Sequence, residues 1–500
     1  MSARPTLFRV LLEERRWDRW VVFCTHFERT ARELANETDS PRLATVSVSR
    51  STFDRWARGY WFGQPWPDAA LILERLFGVP CSDLFRPAPS VMQVRSLPHS
   101  RGDIRAAATI TERWPTSRVF LSSSDEVADS WELAGRQVLD GTTAAIGIRA
   151  ATVRDSSAYI EASDPALHQF LRPARRGMLV GVAEQGDDTQ LYVIDAANAR
   201  RALTVSSDAE VLSLPAAHLL DDLTYGLLWS LVQLDDGLLA DDLALAEEQE
   251  ALDTYLSLPR SAPSRVALPD LTTAGAQWLG SAFCARHIVR RLDGVTTSPV
   301  FWTREQTGEQ AAPWLWFRHK ADYLKTLAAQ YTDAATPMVR VFCVPEGEVT
   351  RSSRYERILL LLAIALMELH GIKVDVLADP EYSEVDGFAL VPSQRAAVAN
   401  WVRTEAIWAA DTVTHRPALR AYHEAFREAR THSVATGPDP EARLRTLAGF
   451  LDIPWPWLIR RCRELSECGT ASIVRPRSRH LSVSALDDVF QFLGALAPDR

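Results

Sequence analysis

At 500 residues the chain is too long for one hydrophobic core, which points to two to four domains. With 47% apolar and 24% charged residues it is an ordinary globular composition, excluding disordered, collagen-like and coiled-coil classes. The net charge of −9 is uninformative until it is resolved along the chain.

The longest unbroken apolar run, Ile358 to Met367, falls far short of the ~20 residues a membrane span needs. No membrane partner is therefore expected. The opening residues MSARPTLFRV lack the apolar stretch of a signal peptide, and six scattered cysteines make no disulfide framework. A cytoplasmic location is expected. Between Ala202 and Pro259 there are twelve acids and no Lys or Arg, whereas residues 1–90 carry thirteen Arg against eleven acids. Pro456 to His480 holds six Arg against two acids. An acidic middle and two mildly basic ends fit a protein that meets polyanions through its ends. Only Lys320, Lys325 and Lys373 are lysines, a bias assigned to genome composition and given no functional weight.

Taken in chain order, residues 1–88 read as a helical domain. Helical spacing runs from Phe8 to Trp17 and from Phe23 to Leu34, then breaks at the polar turn Asn36 to Arg42. A second helix pair follows at Ser49 to Arg58, ended by Gly59, and Asp68 to Phe77, ended by Gly78. Pro87, Pro89 and Pro98 mark a linker at 89–100. Residues 101–260 form a mixed α/β region ending in acidic helices. It has a helix predicted at Asp125 to Leu139 and strands at Ala144 to Arg149, Met178 to Ala183 and Leu191 to Ile194. Gln185 to Asp188 is a hairpin turn between the last two. The stretch 215–258 has Leu at helical spacing with paired Asp on the other face, which predicts two amphipathic helices with a solvated acidic side.

Residues 270–435 read as an α/β domain. A helix at 276–292 precedes a strand–helix–strand unit of Met338 to Val344, Tyr355 to His370 and Lys373 to Leu377. Gly387 to Val391 is a further strand and 396–432 is predicted helical. Gly437-Pro438-Asp439-Pro440 sets a boundary, and 440–500 is a mostly helical tail with a β-prone stretch at Ala471 to Val474. The expected fold class is thus multidomain α+β or α/β: an all-α first domain, central mixed sensor-like domains and a small helical, winged-helix-sized tail.

The most specific signal is Val46 to Gly59. Ser49 can cap a helix, Phe53, Trp56 and Tyr60 share one face, and Arg50, Ser51, Arg55 and Arg58 fall elsewhere. A recognition helix needs this division: an apolar face to dock it and donors for base edges and phosphates. A capped amphipathic helix with solvated arginines would look the same. The block resembles the lambda-repressor-like (XRE-type) helix-turn-helix of long, multidomain bacterial transcriptional regulators. Phe27 to Ala35 resembles the scaffold helix and Ser49 to Trp56 the recognition helix. Gln64 to Phe85, with its Pro-x-Pro and Leu-Glu-Arg-Leu-Phe-Gly runs, resembles the closing helices. The resemblance spans roughly 75 residues. It departs at Asn36 to Val48, a connection longer than the usual turn. What the resemblance implies is sequence-specific binding of double-stranded DNA as a homodimer.

In the tail, Arg475, Arg477 and Arg479 alternate after the β-prone stretch, as a phosphate-binding wing would; a small helical cap with a solvated loop is the alternative. Region 313–430 has a weak similarity to the phospholipase-D-like fold. It rests on Trp314 to Lys320, Gly371 to Val374 and Asp386 to Leu390. That family's His-x-Lys-x4-Asp motif is absent, since His319 and Lys320 are adjacent, so the resemblance implies a sensor or scaffold. Degenerate phosphodiesterase chemistry with His319 as nucleophile, or a partner-binding scaffold, are the rival readings. No P-loop, G-x-G-x-x-G or G-x-S-x-G occurs. His423-Glu424 lacks the second His of a zincin, and Cys462, Cys468 and His480 have irregular spacing for zinc. No catalytic residue, cofactor or metal is expected. The aromatics and donors at Arg286, His287, Trp302, Arg304, Trp314, Trp316 and His319 suggest a pocket for a small-molecule effector.

Overall fold

A computed structural model of the protein describes residues 6–15, 17, 19–38, 40–58, 65–86, 100–122, 129–172, 176–185, 188–205, 210–264 and 271–496. The chain is an α+β protein that divides into two units, one of Met1–His99 with Leu121–Ser130 and Arg172–Arg175, the other of the remainder. The segments 270–435 and 440–500 belong to that second unit, as does 101–260 apart from 121–130 and 172–175.

The first unit consists of α1 (Leu7–Glu14), α2 (Trp20–Glu37), α3 (Arg50–Ala57), α4 (Pro67–Phe77) and α5 (Cys81–Leu84), with a 3-10 turn at Pro41–Thr45. Its core is aromatic. The Phe8 ring is fully buried and lies 5.3–5.9 Å from the rings of Phe23, Trp56, Phe77 and Phe85, three of them edge-on. Such pairs each add about 0.5–1.5 kcal/mol beyond simple burial. Pro67 opens α4, where a missing N–H is harmless, and Gly78 closes it at φ +68°, a left-handed cap that glycine adopts without strain. Gly59, Tyr60 and the linker prolines lie outside the described residues.

The second unit starts with α6 (Arg101–Arg113), held at its N-terminus by a reciprocal capping box between Ser100 and Asp103. A seven-stranded sheet follows, built from β1 (Ser117–Phe120), β2 (Ser130–Leu133), β3 (Thr142–Arg154), β4 (Ser157–Glu161), β5 (Gly177–Gln185), β6 (Asp188–Asp195) and β7 (Val211–Leu214). The helices α7 (Pro165–Phe170) and α8 (Ala196–Val205) sit on its connections. β3 is the pivot: Ala145–Ala150 pairs parallel with β5 and Ala151–Arg154 antiparallel with β4. β5 and β6 pair antiparallel up to Gln185 opposite Asp188, as the hairpin reading requires. The helix predicted at Asp125 to Leu139 is not formed where it is described. Residues 130–133 are the strand β2, because Trp131 and Leu133 are buried while Ser130 and Glu132 are half-exposed, a period of two.

Next come α9 (Asp222–Ala240), α10 (Asp242–Leu256) and α11 (Thr273–Arg291). The second sheet and its helices are β8 (Val300–Thr303), α12 (Gly308–Trp316), α13 (Arg318–Gln330), β9 (Val339–Cys343), α14 (Glu346–Arg351), α15 (Arg354–Leu369), β10 (Lys373–Leu377), β11 (Phe388–Val391), β12 (Arg395–Asn400), β13 (Ala409–Val413) and α16 (Arg416–Thr431). Its strand order is β10-β9-β8-β11-β12-β13, with β8, β9 and β10 parallel and the rest antiparallel. The predicted strand–helix–strand unit is β9, α15 and β10. The helix expected across 396–432 forms only from Arg416. Ala396 and Ala397 instead sit buried in β12, where a run of alanines carries no β-branched signal for a strand.

The chain ends in α17 (Pro440–Phe450), α18 (Trp455–Cys468), α19 (Thr470–Ile473) and α20 (Ser484–Gly494). The β-prone stretch at Ala471 is therefore the short helix α19, its first N–H bonded to Asp487 Oδ1 at 2.8 Å. The acidic helices also depart from expectation. α9 is buried along nearly its whole length from Leu223 to Asp235, so it has no solvated acidic side.

Candidate functional site

α3 is built as the sequence suggests. Ser49 takes extended backbone and its side chain accepts a hydrogen bond from the Thr52 N–H at 3.2 Å. Phe53 and Trp56 are buried, with the Phe53 ring 5.1 Å from Phe23 and Trp56 5.9 Å from Phe8, which docks the helix between α1 and α2. The long connection before it is anchored rather than loose. Trp20 Nε1 and Cys24 Sγ both donate to the Val48 carbonyl, at 3.0 and 3.4 Å. Arg50, Ser51, Arg55 and Arg58 are all exposed. Arg50 and Arg58 have no ion-pair partner among the described residues. Arg55 folds back along its own helix, its Nε donating to the Ser51 carbonyl at 3.2 Å. The Ser51 hydroxyl lies 3.1 Å from that of Ser49.

The C-terminal arginines are placed differently. Arg477 donates from Nε to Asp235 Oδ2 at 3.0 Å and pairs through Nη2 with Asp236. Arg479 Nε reaches Asp242 Oδ1 at 2.8 Å, and the backbone N–H groups of Arg477 and Ser478 both donate to Asp235 Oδ1. Arg475 is exposed, but its carbonyl accepts from the buried Arg176, which also pairs with Asp235 at 2.7 Å and Asp195 at 3.0 Å. There is no wing. Arg477 and Arg479 pair with aspartates of α9 and α10 while remaining partly exposed, and Arg475 stays exposed with its Nε on the Ala471 carbonyl.

Of the seven pocket residues, Trp302, Arg304 and Trp314 line one cavity of about 40 Å³ between the second sheet and α11–α13. Arg286, His287, Trp316 and His319 do not line it. Trp316 is buried and donates to Ser230 Oγ at 2.9 Å, and His287 sits against the Asp411 carbonyl at 3.4 Å. His319 lies 2.9 Å from Ser281 Oγ through Nε2, while its Nδ1 is buried without a partner. Burial, reinforced by Lys320 and His480, holds its imidazole well below the usual range and so neutral. Among the described residues no carboxylate is hydrogen-bonded to this imidazole.

Sequence reasoning missed what faces the cavity. Lys320 is 3% exposed and Arg340 4% exposed, and both line it with Cys284, Glu305, Tyr323, Asn400 and Trp401. Lys320 Nζ stands 3.8 Å from the Trp314 ring centroid and 4.8 Å from that of Trp401. The Arg340 guanidinium lies 4.5 Å from Phe301, its cross-strand neighbour in the parallel β8–β9 pair, and 5.0 Å from the same Trp314. Burial lowers the Lys320 pKa to about 8, against the opposing pull of Glu305 and Cys284. The available signal was the residue type itself, one of three lysines in a chain that otherwise uses arginine.

No family model, curated protein or solved structure matches this chain.

Proposed function

We propose that the protein binds double-stranded DNA sequence-specifically through α3 and acts as a transcriptional regulator of the XRE-like, helix-turn-helix kind. The observation that carries this reading is α3 itself: capped by Ser49, docked by Phe53 and Trp56, and displaying Arg50, Ser51, Arg55 and Arg58 to solvent. Arg50 stands in the first turn, the part of such a helix that meets base edges in the major groove. Arg58 stands at the far end, suited to a phosphate. A homodimer on a two-fold site belongs to the same reading, since operator symmetry mirrors protein symmetry. Arg477 and Arg479 are left out of it, because their guanidiniums already hold carboxylates.

The test is capture of sheared genomic DNA by the purified full chain, followed by sequencing and by the same capture with Arg50→Ala. The reading expects a recurrent motif that is lost or relaxed in the variant. Random recovery by both proteins would sink it.

A further inference from the structure

The cavity beneath the second sheet contains a charge imbalance that the fold does not resolve. Lys320 and Arg340 are both more than nine-tenths buried, and neither has a carboxylate within ion-pair distance among the described residues. Their distances to the shared Trp314 ring, 3.8 and 5.0 Å, keep the two charges within about 9 Å of each other. Arg340 donates from Nη1 to Thr303 Oγ1 at 3.1 Å. The Tyr323 hydroxyl lies beside the guanidinium and interacts with it, while the geometry of Nε and Nη2 completes no hydrogen bond among the described residues. Lys320 Nζ is flanked by the faces of Trp314 and Trp401. Glu305, the carboxylate on the same lining, accepts from the indole N–H of Trp314 through Oε1 at 2.8 Å, and its negative charge offsets one of the two cations from beyond ion-pair distance. Arg304, also on the lining, is neutralised by Glu384 and Asp386.

Buried charges are ordinarily paired, because an unpaired one forfeits its hydration with no return. Two such cations facing one space, with Glu305 as the carboxylate on the lining, leave one positive charge there without a counter-ion. At about 40 Å³ the space takes roughly three water-sized atoms, which suits a carboxylate group and is too small for a nucleotide or a sugar. We infer that the cavity binds a small carboxylate-sized anion between Lys320 and Arg340, with Trp314 and Trp401 as its walls. The inference does not rest on DNA binding, and it is tested without DNA.

The test is thermal unfolding of the full chain in sodium formate, sodium acetate and sodium gluconate at one ionic strength, gluconate being too bulky to enter. Formate and acetate should raise the unfolding temperature saturably, by at least about 2 °C over gluconate. The gain should fade as the pH rises past 8 and Lys320 loses its proton; Glu305, Cys284, Tyr323 and Arg340 are the other titratable groups facing it. Lys320→Met and Arg340→Met should abolish the gain. In gluconate both should unfold at an equal or higher temperature than wild type, since each removes an uncompensated buried charge. A purely structural role predicts the opposite sign. Equal unfolding temperatures in all three salts, or a gain that survives in folded Lys320→Met, would overturn the site. Should neither variant fold, the wild-type salt series and its pH profile decide alone.

Discussion

Two arginine-rich stretches look alike in the sequence and fare differently in the fold. Around α3, Arg50 and Arg58 project from a helix whose apolar side is fully used by Phe53 and Trp56. After α19, Arg477 and Arg479 lie two residues apart, and each is taken by an aspartate more than 230 residues earlier in the chain. Spacing along one segment says which direction a side chain takes. It says nothing of which distant carboxylate waits there. The difference teaches that a local basic pattern supports a polyanion interface only when the charges remain unspent after folding.

The comparison can be broken at several points. The largest effect is expected from Asp235→Ala. Asp235 is fully buried and holds Arg176, Arg477 and two backbone N–H groups. Removing it leaves Arg176 with Asp195 as its carboxylate partner and two backbone N–H groups unpaired, and should cost about 3–5 kcal/mol in urea unfolding of the second unit. A loss under 1 kcal/mol would mean that the network is decoration. Arg50→Ala comes next: about 1–3 kcal/mol of affinity at the preferred DNA site, with stability unchanged within about 0.5 kcal/mol. Competitive binding assays and a melting curve read the two halves of that claim. Ser49→Ala is smaller, about 1 kcal/mol, because it deletes the cap of α3. It should weaken DNA binding only through loss of the helix, so Ser49→Asp, which can still cap, should restore both stability and binding.

Acid provides the gentlest probe. Burial alone would raise the Asp235 pKa, and the Arg176 and Arg477 guanidiniums more than reverse it, leaving the carboxyl below its ordinary range. A depressed folded pKa contributes stability that is present above about pH 4 and is lost as the pH falls through the folded value. Urea unfolding at pH 6 and pH 3.5 should show that loss in wild type and show less of it in Asp235→Asn.

How much of this was legible beforehand follows the same division between local and distant causes. The helices of the first unit, the Ser49 cap and the Gly78 terminator were readable because each depends on residues within a turn or two. The β9–α15–β10 unit was readable for the same reason. β12 was not, because alanines buried by neighbouring strands carry no strand signature of their own. α9 was misjudged because its aspartates look solvated until Arg176, Arg477 and Arg479 are brought against that end of the helix and the start of α10. The cavity was half legible. Its aromatics Trp302 and Trp314 stood out, whereas the meeting of Lys320 with Arg340 was not legible because their common place, the face of Trp314, exists only after β9 packs beside α12 and α13.

The central claim is that α3 spends its arginines on DNA while the C-terminal segment spends its own on Asp235, Asp236 and Asp242. The measurement that bears on it most directly is the salt dependence of DNA affinity for wild type, Arg58→Ala and Arg477→Ala. Arg58→Ala should lower the slope of log affinity against log salt by about one, and Arg477→Ala should leave it unchanged. An unchanged slope in Arg58→Ala together with a lowered slope in Arg477→Ala would contradict the account.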